Sequence, residues 1–245
     1  MDFPSFKRWL AEDGPMAGLK LAALISGGKD SMLALHHAVW SGHEVAYLVV
    51  MHPKRRDSWM FHTQNLHMTE LISEALGIPL ASAETTGLKE LELRDLERLL
   101  AGLDVEGVVS GVIASKYQKE RIDRLCQKLG LLHIAPLWGR EQEALLRELL
   151  AYRFSVIFVG VYAYGFSRNW LGRLLDEQAV AELMELNKRF AISPVGEGGE
   201  YETLVLDAPL YRKKIRIEEV DCLWEDESGT LLIRKATLVD KAKPR

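Results

Sequence analysis

Residues 19–38 read LKLAALISGGKDSMLALHHA and join an apolar run to a pair of glycines and a helical pattern. The apolar run predicts a buried strand, and residues 31–40 predict a helix. Adjacent Gly27 and Gly28 permit a sharp turn between them and a close approach of the backbone to a ligand. Because a helix N-terminus offers free N–H groups and a positive dipole end, and Lys29 adds a full charge, this turn predicts a polyphosphate site.

The two best-known phosphate-binding patterns do not match this turn. GxxxxGK[ST] requires four residues between its glycines, and GxGxxG requires a third glycine where position 31 is serine. The simplest alternative is an ordinary strand–helix turn that is capped by Asp30 or Ser31. Asp30 is therefore a candidate to cap the helix N-terminus, where a carboxylate is favourable.

Apolar runs and amphipathic segments alternate through the first half of the chain. Strand patterns follow the first one at 44–51, 78–84, 105–113 and 131–138, and helical patterns lie between them. This alternation predicts a doubly wound parallel sheet that is covered by helices on both faces. Glycines follow the helical patterns, as a left-handed C-terminal cap requires, at Gly42, Gly77, Gly102 and Gly130.

The second half has a different pattern, which predicts a smaller α+β domain. Helical spacing is found at 140–153, 169–176 and 178–190, with a strand pattern at 155–165. Three strand patterns follow Phe190, and the turn EDESG joins the last two into a predicted antiparallel hairpin. We therefore divide the chain into an N-terminal α/β domain, residues 1–138, and an α+β domain, residues 139–245.

The composition excludes several classes of function. The 245-residue chain has a net charge of −4, which gives no general attraction to nucleic acid or to an anionic membrane. Its longest uncharged stretch, residues 154–167, is shorter than the roughly 20 apolar residues of a transmembrane helix. Cys126 and Cys222 form no CxxC pair, so neither a zinc ribbon nor a disulfide framework is indicated, and a reducing cytoplasm fits best.

The segment Ser26–Ser31 resembles the PP-loop of the N-type ATP pyrophosphatases, whose members cleave ATP between its α- and β-phosphates and adenylate an acceptor. The resemblance implies a Rossmann-like sheet with ATP at the carboxyl ends of its strands. It also implies ATP and Mg²⁺ as the reaction's requirements, with Asp30 as a metal ligand and the Met51 backbone as an adenine contact. The nucleotide-binding set is then Ser26, Gly27, Gly28, Lys29, Asp30, Ser31 and Met51.

Three further stretches narrow the resemblance to one family. They are GVIASKYQKERIDRLCQKLGL (111–131), APLWGREQEALLREL (135–149) and GEGGEYETLVLDAPLY (196–211). In this order, and with the SGGKDS turn, they are similar to the diphthine–ammonia ligase family over nearly the whole chain. That family's reaction would convert diphthine on elongation factor 2 to diphthamide with ATP and ammonia, releasing AMP and pyrophosphate.

The stretch at 196–203 has the residue types of a reaction site. Gly198 and Gly199 permit close approach of a substrate, and strand alternation would place two of the carboxylates on one face. Carboxylates and an aromatic ring can attract the trimethylammonium group of diphthine, while one glutamate can deprotonate ammonium or hold Mg²⁺. With Lys29 and Asp30, the candidate catalytic residues here are Glu197, Glu200 and Glu202. Tyr201 and Thr203 are candidate substrate contacts, and a glycine-rich turn with solvated acids is the alternative.

The helix after the fourth strand supplies further candidates. Tyr117, Gln118 and Arg121 match the family pattern and would face the carboxyl edge of the sheet, with Ser115 as a possible N-cap. The alternative for each of them is an exposed position on an amphipathic helix.

The segment after the second strand contains candidates to close over the nucleotide. These are Trp59, His62 and Thr63, and the chain has Phe61 where the family typically has tyrosine.

The expected partners are diphthine-bearing elongation factor 2 and free ammonia, because no glutaminase motif is visible in the sequence. We expect no membrane contact and no strong nucleic-acid binding, and a homodimer is compatible with the sequence. Two alternatives remain at this point: another PP-loop ligase or tRNA-modifying enzyme, and a nucleotide-binding sensor without ligase chemistry. The absence of a suitably placed cysteine pair argues against sulfur transfer.

Overall fold

A computed structural model describes residues 18–53, 65–86 and 89–241. Trp59, Phe61, His62 and Thr63 lie outside these residues. The first lobe contains β1 (Lys20–Leu24), α1 (Lys29–Trp40), β2 (Glu44–Pro53), α2 (Met68–Leu76), β3 (Leu80–Thr85), α3 (Lys89–Ala101), β4 (Gly107–Val109), α4 (Lys116–Leu129) and β5 (Leu132–Ile134).

The first lobe is built on a five-stranded parallel sheet with the order β3-β2-β1-β4-β5. The central strands β1 and β4 and the second half of β2 are mostly buried, and their alternate side chains point to opposite faces of the sheet. Leu21 and Ala23 join a core that includes α1 and α2, whereas Ala22 joins a separate core with α3 and α4. The predicted doubly wound α/β fold is confirmed.

The second lobe is an antiparallel sheet with two helices, as the α+β prediction requires. Its strands have the order β7-β6-β9-β8. The hairpin of β8 and β9 turns between Glu225 and Ser228, so the predicted hairpin is confirmed. The elements are α5 (Gln142–Ala151), β6 (Ser155–Val161), a 3₁₀ turn (Arg168–Trp170), α6 (Glu177–Phe190), β7 (Tyr201–Asp207), β8 (Lys213–Glu225) and β9 (Ser228–Asp240).

The helix predicted at residues 169–176 is wrong. Only the 3₁₀ turn forms there, and Leu174 then makes an isolated antiparallel bridge to Ile157. Gly172, with φ of 80°, interrupts the segment in the left-handed region. Asp176 ends the segment by capping α6, where its carboxylate accepts the Ala179 N–H at 2.7 Å. The segment therefore serves as an edge contact and a helix start.

The two lobes share one core and several backbone hydrogen bonds. Leu21, α1 and the central β6 residue Phe158 belong to the same buried cluster. The Val205 N–H donates to the Gly27 carbonyl at 3.0 Å. Buried Asn65 donates to the Leu231 carbonyl and accepts from the Ile233 N–H, both at 2.8 Å. The lobes are therefore fastened together behind α2 and at the segment Ser26–Ser31, which we call the phosphate loop. The boundary between residues 138 and 139 stays a prediction.

Strands β4 and β5 are shorter than their apolar patterns suggested, because the chain leaves the sheet at its carboxyl edge. Val109 pairs with Ile134, and Ser110 already belongs to the connecting loop. The order of the strands reverses between β1 and β4, and in open α/β sheets such a reversal opens a crevice at the carboxyl ends. Within the described residues, no helix is both long and apolar enough to cross a membrane.

Candidate functional site

A cavity of about 460 Å³ lies at this crevice and is large enough for a nucleotide-sized ligand. Its walls come from the loops after β1 and β4, the end of β2, α4 and the loop before β7. The lining residues include Ser26, Asp30 and Ser31 of the phosphate loop, Met51, Ser110–Ile113, Gln118 and Gly196–Gly199. Some of the nucleotide and substrate candidates, drawn from both lobes, therefore meet in one space.

The phosphate loop does not use Asp30 as a cap. Gly28 is the N-cap of α1, and no side chain caps it. Ser31 Oγ donates to the Gly28 carbonyl at 3.0 Å, and Asp30 lies in the first helical turn. The capping role proposed for Asp30 is therefore wrong. Its carboxylate accepts from the Lys29 ammonium and lies in the first turn of α1, where negative charge is favourable.

The two loop glycines lie in close contact with the protein's own side chains and backbone. Gly27 has φ of 84°, and a Cβ there would lie 2.9 Å from Ile72 Cδ1 and 3.2 Å from Leu204 Cδ1. A Cβ on Gly28 would lie 3.3 Å from the Thr203 carbonyl oxygen. The close approach inferred from the glycines is thus made by β7. Neither glycine lines the larger cavity.

Lys29 is buried beneath the loop, with 2% of its surface exposed. Its Nζ donates to the Val195 carbonyl at 2.5 Å and to Asp30 Oδ2 at 2.9 Å. The ammonium also lies 4.9 Å from the centre of the Tyr201 ring. Lys29 lines a second cavity of about 80 Å³ and does not line the larger one, so in this conformation its ammonium is held by the second lobe.

The smaller cavity lies between the phosphate loop and β7. Glu202, Tyr201 and Thr203 line it with Lys29 and Asp30. The Thr203 hydroxyl accepts the Lys29 backbone N–H at 3.1 Å. This N–H belongs to the helix N-terminus that we expected to bind phosphate, and here it is bonded within the protein. Asp30 lines both cavities and connects them.

Glu197 fastens the glycine-rich loop, Gly196–Gly199, to the first lobe. Its Oε1 accepts the N–H groups of Ile113, Ala114 and Ser115 at 3.2, 2.6 and 2.7 Å. These amides surround the N-terminus of α4, where a carboxylate also interacts well with the helix dipole. The carboxylate of Glu197 thus fills an anion-binding position that would otherwise face the larger cavity.

Glu200 and Glu202 are not used alike. Glu200 precedes β7, and its carboxylate turns back to accept the Ser193 N–H at 2.7 Å. It lines neither cavity, whereas Glu202 lines the smaller one. Glu197 and Glu200 therefore both bind backbone amides, whereas Glu202 lines a cavity beside the phosphate loop.

Tyr201 is buried, and its hydroxyl donates to the Pro194 carbonyl at 2.6 Å. Burial, followed by the charges of Asp30 and Glu200, raises the pKa of the Tyr201 phenol well above its ordinary value. The phenol therefore stays protonated, and its ring faces the Lys29 ammonium. A substrate cation that contacted this ring would therefore lie beside a ring that already contacts the Lys29 ammonium.

The start of α4 places one of its three candidates in the cavity. Ser115 caps the helix, as predicted, by accepting the Gln118 N–H at 3.3 Å. Gln118 lines the larger cavity. Tyr117 and Arg121 do not line it, and the Arg121 guanidinium lies over the Tyr117 ring at 4.4 Å.

Part of the lining of the larger cavity is apolar. Met51, at 2% exposure, contributes to it at the end of β2, together with Leu24, Ile25, Val49, Leu66, Val112 and Ile122. Such side chains suit the flat, apolar faces of a purine base, and polar groups of the phosphate loop line the same space.

The structure also reveals a hydrogen-bonded chain that the sequence analysis missed. Ser110 Oγ lies 2.8 Å from His133 Nε2, and His133 Nδ1 lies 2.6 Å from Asp123 Oδ1. Ser110 lines the larger cavity, while the other two residues belong to β5 and α4. No local signal could have found this chain, because its members come from three separate elements.

Gly111, next to Ser110, was also missed. A Cβ at this position would lie 2.5 Å from the Ser31 backbone nitrogen. The end of β4 is therefore in direct contact with the first turn of α1, and only glycine allows that contact.

The donor groups fit a metal ion that arrives with its ligand better than a resident one. Among the described residues, no group of three histidine, cysteine or acidic side chains is arranged to hold a metal. Mg²⁺ that accompanies phosphates usually takes one or two protein carboxylates, and Asp30 is placed to provide one. Burial raises the pKa of Cys126 to about 12, so this thiol is poorly suited to sulfur chemistry.

Comparison with known proteins gives matches on both lobes. Residues 19–133 match the family described as diphthamide synthase N-terminal domain, and residues 141–239 match diphthamide synthase C-terminal domain. Relatives named diphthine–ammonia ligase are 36% identical over 92% of this chain in Schizosaccharomyces pombe and 36% over 84% in Mus musculus. One in Danio rerio is 34% identical over 93% of the chain. The chain spans 40% of the length of the S. pombe relative, 85% of the mouse one and 99% of the zebrafish one.

Proposed function

The chain belongs to the diphthamide synthase family, and on that premise we propose that it amidates diphthine on elongation factor 2 with ammonia, cleaving ATP to AMP and pyrophosphate. The observation that supports the proposal is that the phosphate loop and the glycine-rich loop line the same cavity. The phosphate loop lies on one wall, and the glycine-rich loop Gly196–Gly199 of the second lobe lies on another. Two free cysteines agree with work in a reducing cytoplasm.

The reaction would proceed in two half-reactions. The diphthine carboxylate attacks the α-phosphorus of ATP to give an acyl-adenylate, and pyrophosphate leaves. Ammonia then attacks the acyl carbon, and AMP leaves. Bound Mg²⁺ would neutralise charge on the phosphates, with Asp30 as its protein ligand.

The chain's own residues would supply positioning and electrostatic stabilisation. The first turn of α1, apart from the Lys29 N–H that Thr203 accepts, would offer its N–H groups and the positive end of its dipole to the phosphates. The apolar lining residues around Met51 would take the adenine ring, and Asp30 and Ser31 would lie by the phosphates. Holding both reactants in one cavity lowers the activation free energy. In the best-oriented intramolecular reactions this effect reaches roughly 7–11 kcal/mol.

The carboxylates of the second lobe would have separate roles. Glu202, in the wall of the smaller cavity, is our candidate to attract the trimethylammonium group or ammonium. Glu197 and Glu200 would hold the glycine-rich loop in shape, because both bind backbone amides. Gln118, Gly198 and Gly199 are the candidate contacts of the substrate in the larger cavity.

The test is an assay of the products. The purified protein is incubated with ATP, ammonium and diphthine-bearing elongation factor 2, and AMP, pyrophosphate and the mass of the modified peptide are measured. We expect equal amounts of AMP and diphthamide. A factor that carries unmodified histidine is the matched control and should give neither. Release of ADP, or AMP release that does not depend on the factor, would contradict the proposal.

A further inference from the structure

We propose that Ser110, His133 and Asp123 form a proton-accepting chain that removes the proton lost by ammonia in the amidation half-reaction. The inference rests on the proposed function and adds residues that neither the phosphate loop nor the glycine-rich loop contains. It begins from the two short contacts, 2.8 Å from Ser110 Oγ to His133 Nε2 and 2.6 Å from His133 Nδ1 to Asp123 Oδ1.

The protonation states follow from the chain's surroundings. Although burial opposes ionisation of Asp123, hydrogen bonds from Lys119 and His133 lower the pKa of this carboxyl. An ionised carboxylate only accepts, so His133 Nδ1 donates to it. Burial lowers the pKa of His133, against the raising influence of Asp123, so the ring is neutral near pH 7. Its Nε2 then accepts the Ser110 hydroxyl, as in a serine–histidine–aspartate triad.

The position of Ser110 gives the chain access to the reaction. Ser110 lines the larger cavity, and the neighbouring Gly111 is in contact with the backbone of Asp30 and Ser31. The chain thus starts beside the phosphate loop. The His133 side chain is 4% exposed, and Asp123 at its far end is 40% exposed and paired with Lys119 at 2.7 Å. A buried histidine held in one tautomer next to a ligand cavity is the arrangement that general-base catalysis requires.

The proton balance identifies the step. When ammonia attacks the acyl-adenylate, a C–N bond forms, the C–O bond to AMP breaks, and the nitrogen loses one proton. Ser110 Oγ would take that proton as its own passes to His133 Nε2, giving an imidazolium beside the Asp123 carboxylate. The proton returns through Ser110 to water that enters as AMP leaves. Adenylation needs no such base, because the attacking carboxylate is already ionised.

The two half-reactions therefore separate this role from a structural one. His133→Gln keeps a hydrogen-bonding group near Ser110 but does not titrate, and Ser110→Ala removes the first member of the chain. Asp123→Asn reverses the tautomer of His133. We expect all three to lower amide formation by about 10²-fold, within the range of general acid–base contributions. His133 and Asp123 do not line the cavity, so for His133→Gln and Asp123→Asn pyrophosphate exchange into ATP, measured with diphthine-bearing factor and no ammonia, should stay within about twofold of wild type, an allowance for small positional changes.

The pH profile supplies the second readout. The ratio of wild-type to His133→Gln amidation rates should be constant above pH 6.5 and fall toward one at lower pH, as His133, facing Asp123 and Lys119, becomes protonated. Using the ratio cancels the ammonium equilibrium. Three results would each contradict the proton-accepting role without contradicting the ligase function. They are equal losses in both half-reactions, a rate ratio that does not change with pH, and normal amidation by Ser110→Ala. If the wild-type protein forms no diphthamide, both the proposed function and the proton-accepting role are contradicted.

Discussion

Asp30 illustrates at the residue scale how one side chain serves both structure and the proposed chemistry. It lines both cavities and accepts from the buried Lys29 ammonium at 2.9 Å. Asp30→Asn keeps an oxygen for Lys29 but removes the charge that would hold Mg²⁺. We expect AMP release to fall roughly 10–100-fold, as for other changes around metal ligands. The assay is AMP release at saturating ATP, and Asp226→Asn in the exposed β8–β9 turn is the matched control.

Asp30→Ala should differ from Asp30→Asn in stability. It leaves the Lys29 ammonium buried with only the Val195 carbonyl and the Tyr201 ring. Breaking a fully buried ion pair costs about 3–5 kcal/mol, and we expect about 2 kcal/mol here because the Asp30 side chain is 32% exposed. Urea unfolding measures the difference. Equal AMP release by wild type and Asp30→Asn would remove the metal role from this residue.

At the scale of elements, the N-terminus of α4 depends on a carboxylate from the other lobe. Glu197 accepts three N–H groups there, so its removal leaves several donors without their partner. We expect Glu197→Ala to lower the free energy of unfolding by about 2–3 kcal/mol, the upper range for a hydrogen bond to a charged group. Glu197→Gln keeps an acceptor oxygen and should cost about half as much. Urea denaturation of both variants gives the comparison.

Ser115→Ala is the control for Glu197, since it removes a cap from the same helix end without touching the second lobe. Loss of such a cap costs about 1 kcal/mol. If both Glu197 variants unfold like wild type, the bridge between the glycine-rich loop and α4 has no energetic importance.

At the scale of the whole molecule, stability should depend on a histidine that joins the lobes. His36 in α1 is fully buried, and its Nε2 accepts the Leu210 N–H of the second lobe at 3.2 Å. Burial lowers the pKa of His36 from 6.5 to about 4. Below pH 6.5 the unfolded chain binds a proton that the folded chain rejects, so stability is complete above pH 6.5 and falls as pH falls toward 4.

The expected loss between pH 7 and pH 5 is about 2 kcal/mol from His36, since each pKa unit corresponds to about 1.4 kcal/mol. Urea unfolding of wild type and His36→Gln at the two pH values measures it. The variant should lose less over this range, although His133, whose pKa burial also lowers, contributes in the same direction. An identical pH dependence in both proteins would contradict the assignment to His36.

The sequence by itself determined the features that depend on neighbours along the chain. Alternation of apolar strands and amphipathic helices predicted the doubly wound sheet, and EDESG predicted the β8–β9 hairpin. Gly77 and Gly130 ended their helices in the left-handed region, with φ of 70° at each. These predictions succeeded because periodicity, turns and caps follow from local backbone geometry. The helix at 169–176 failed where Gly172 and a bridge to Ile157 overrode a local pattern.

Only the tertiary structure decided what each polar side chain of the site contacts. Nothing near Glu197 in the sequence indicates that it binds amides of residues 113–115, and nothing near Lys29 indicates the Val195 carbonyl. The same is true of Ser110 and His133, which meet because β4 and β5 are neighbours in the sheet. A residue's type states which bonds it can make, but its partners depend on distant segments that come together only when the two lobes bury their common core.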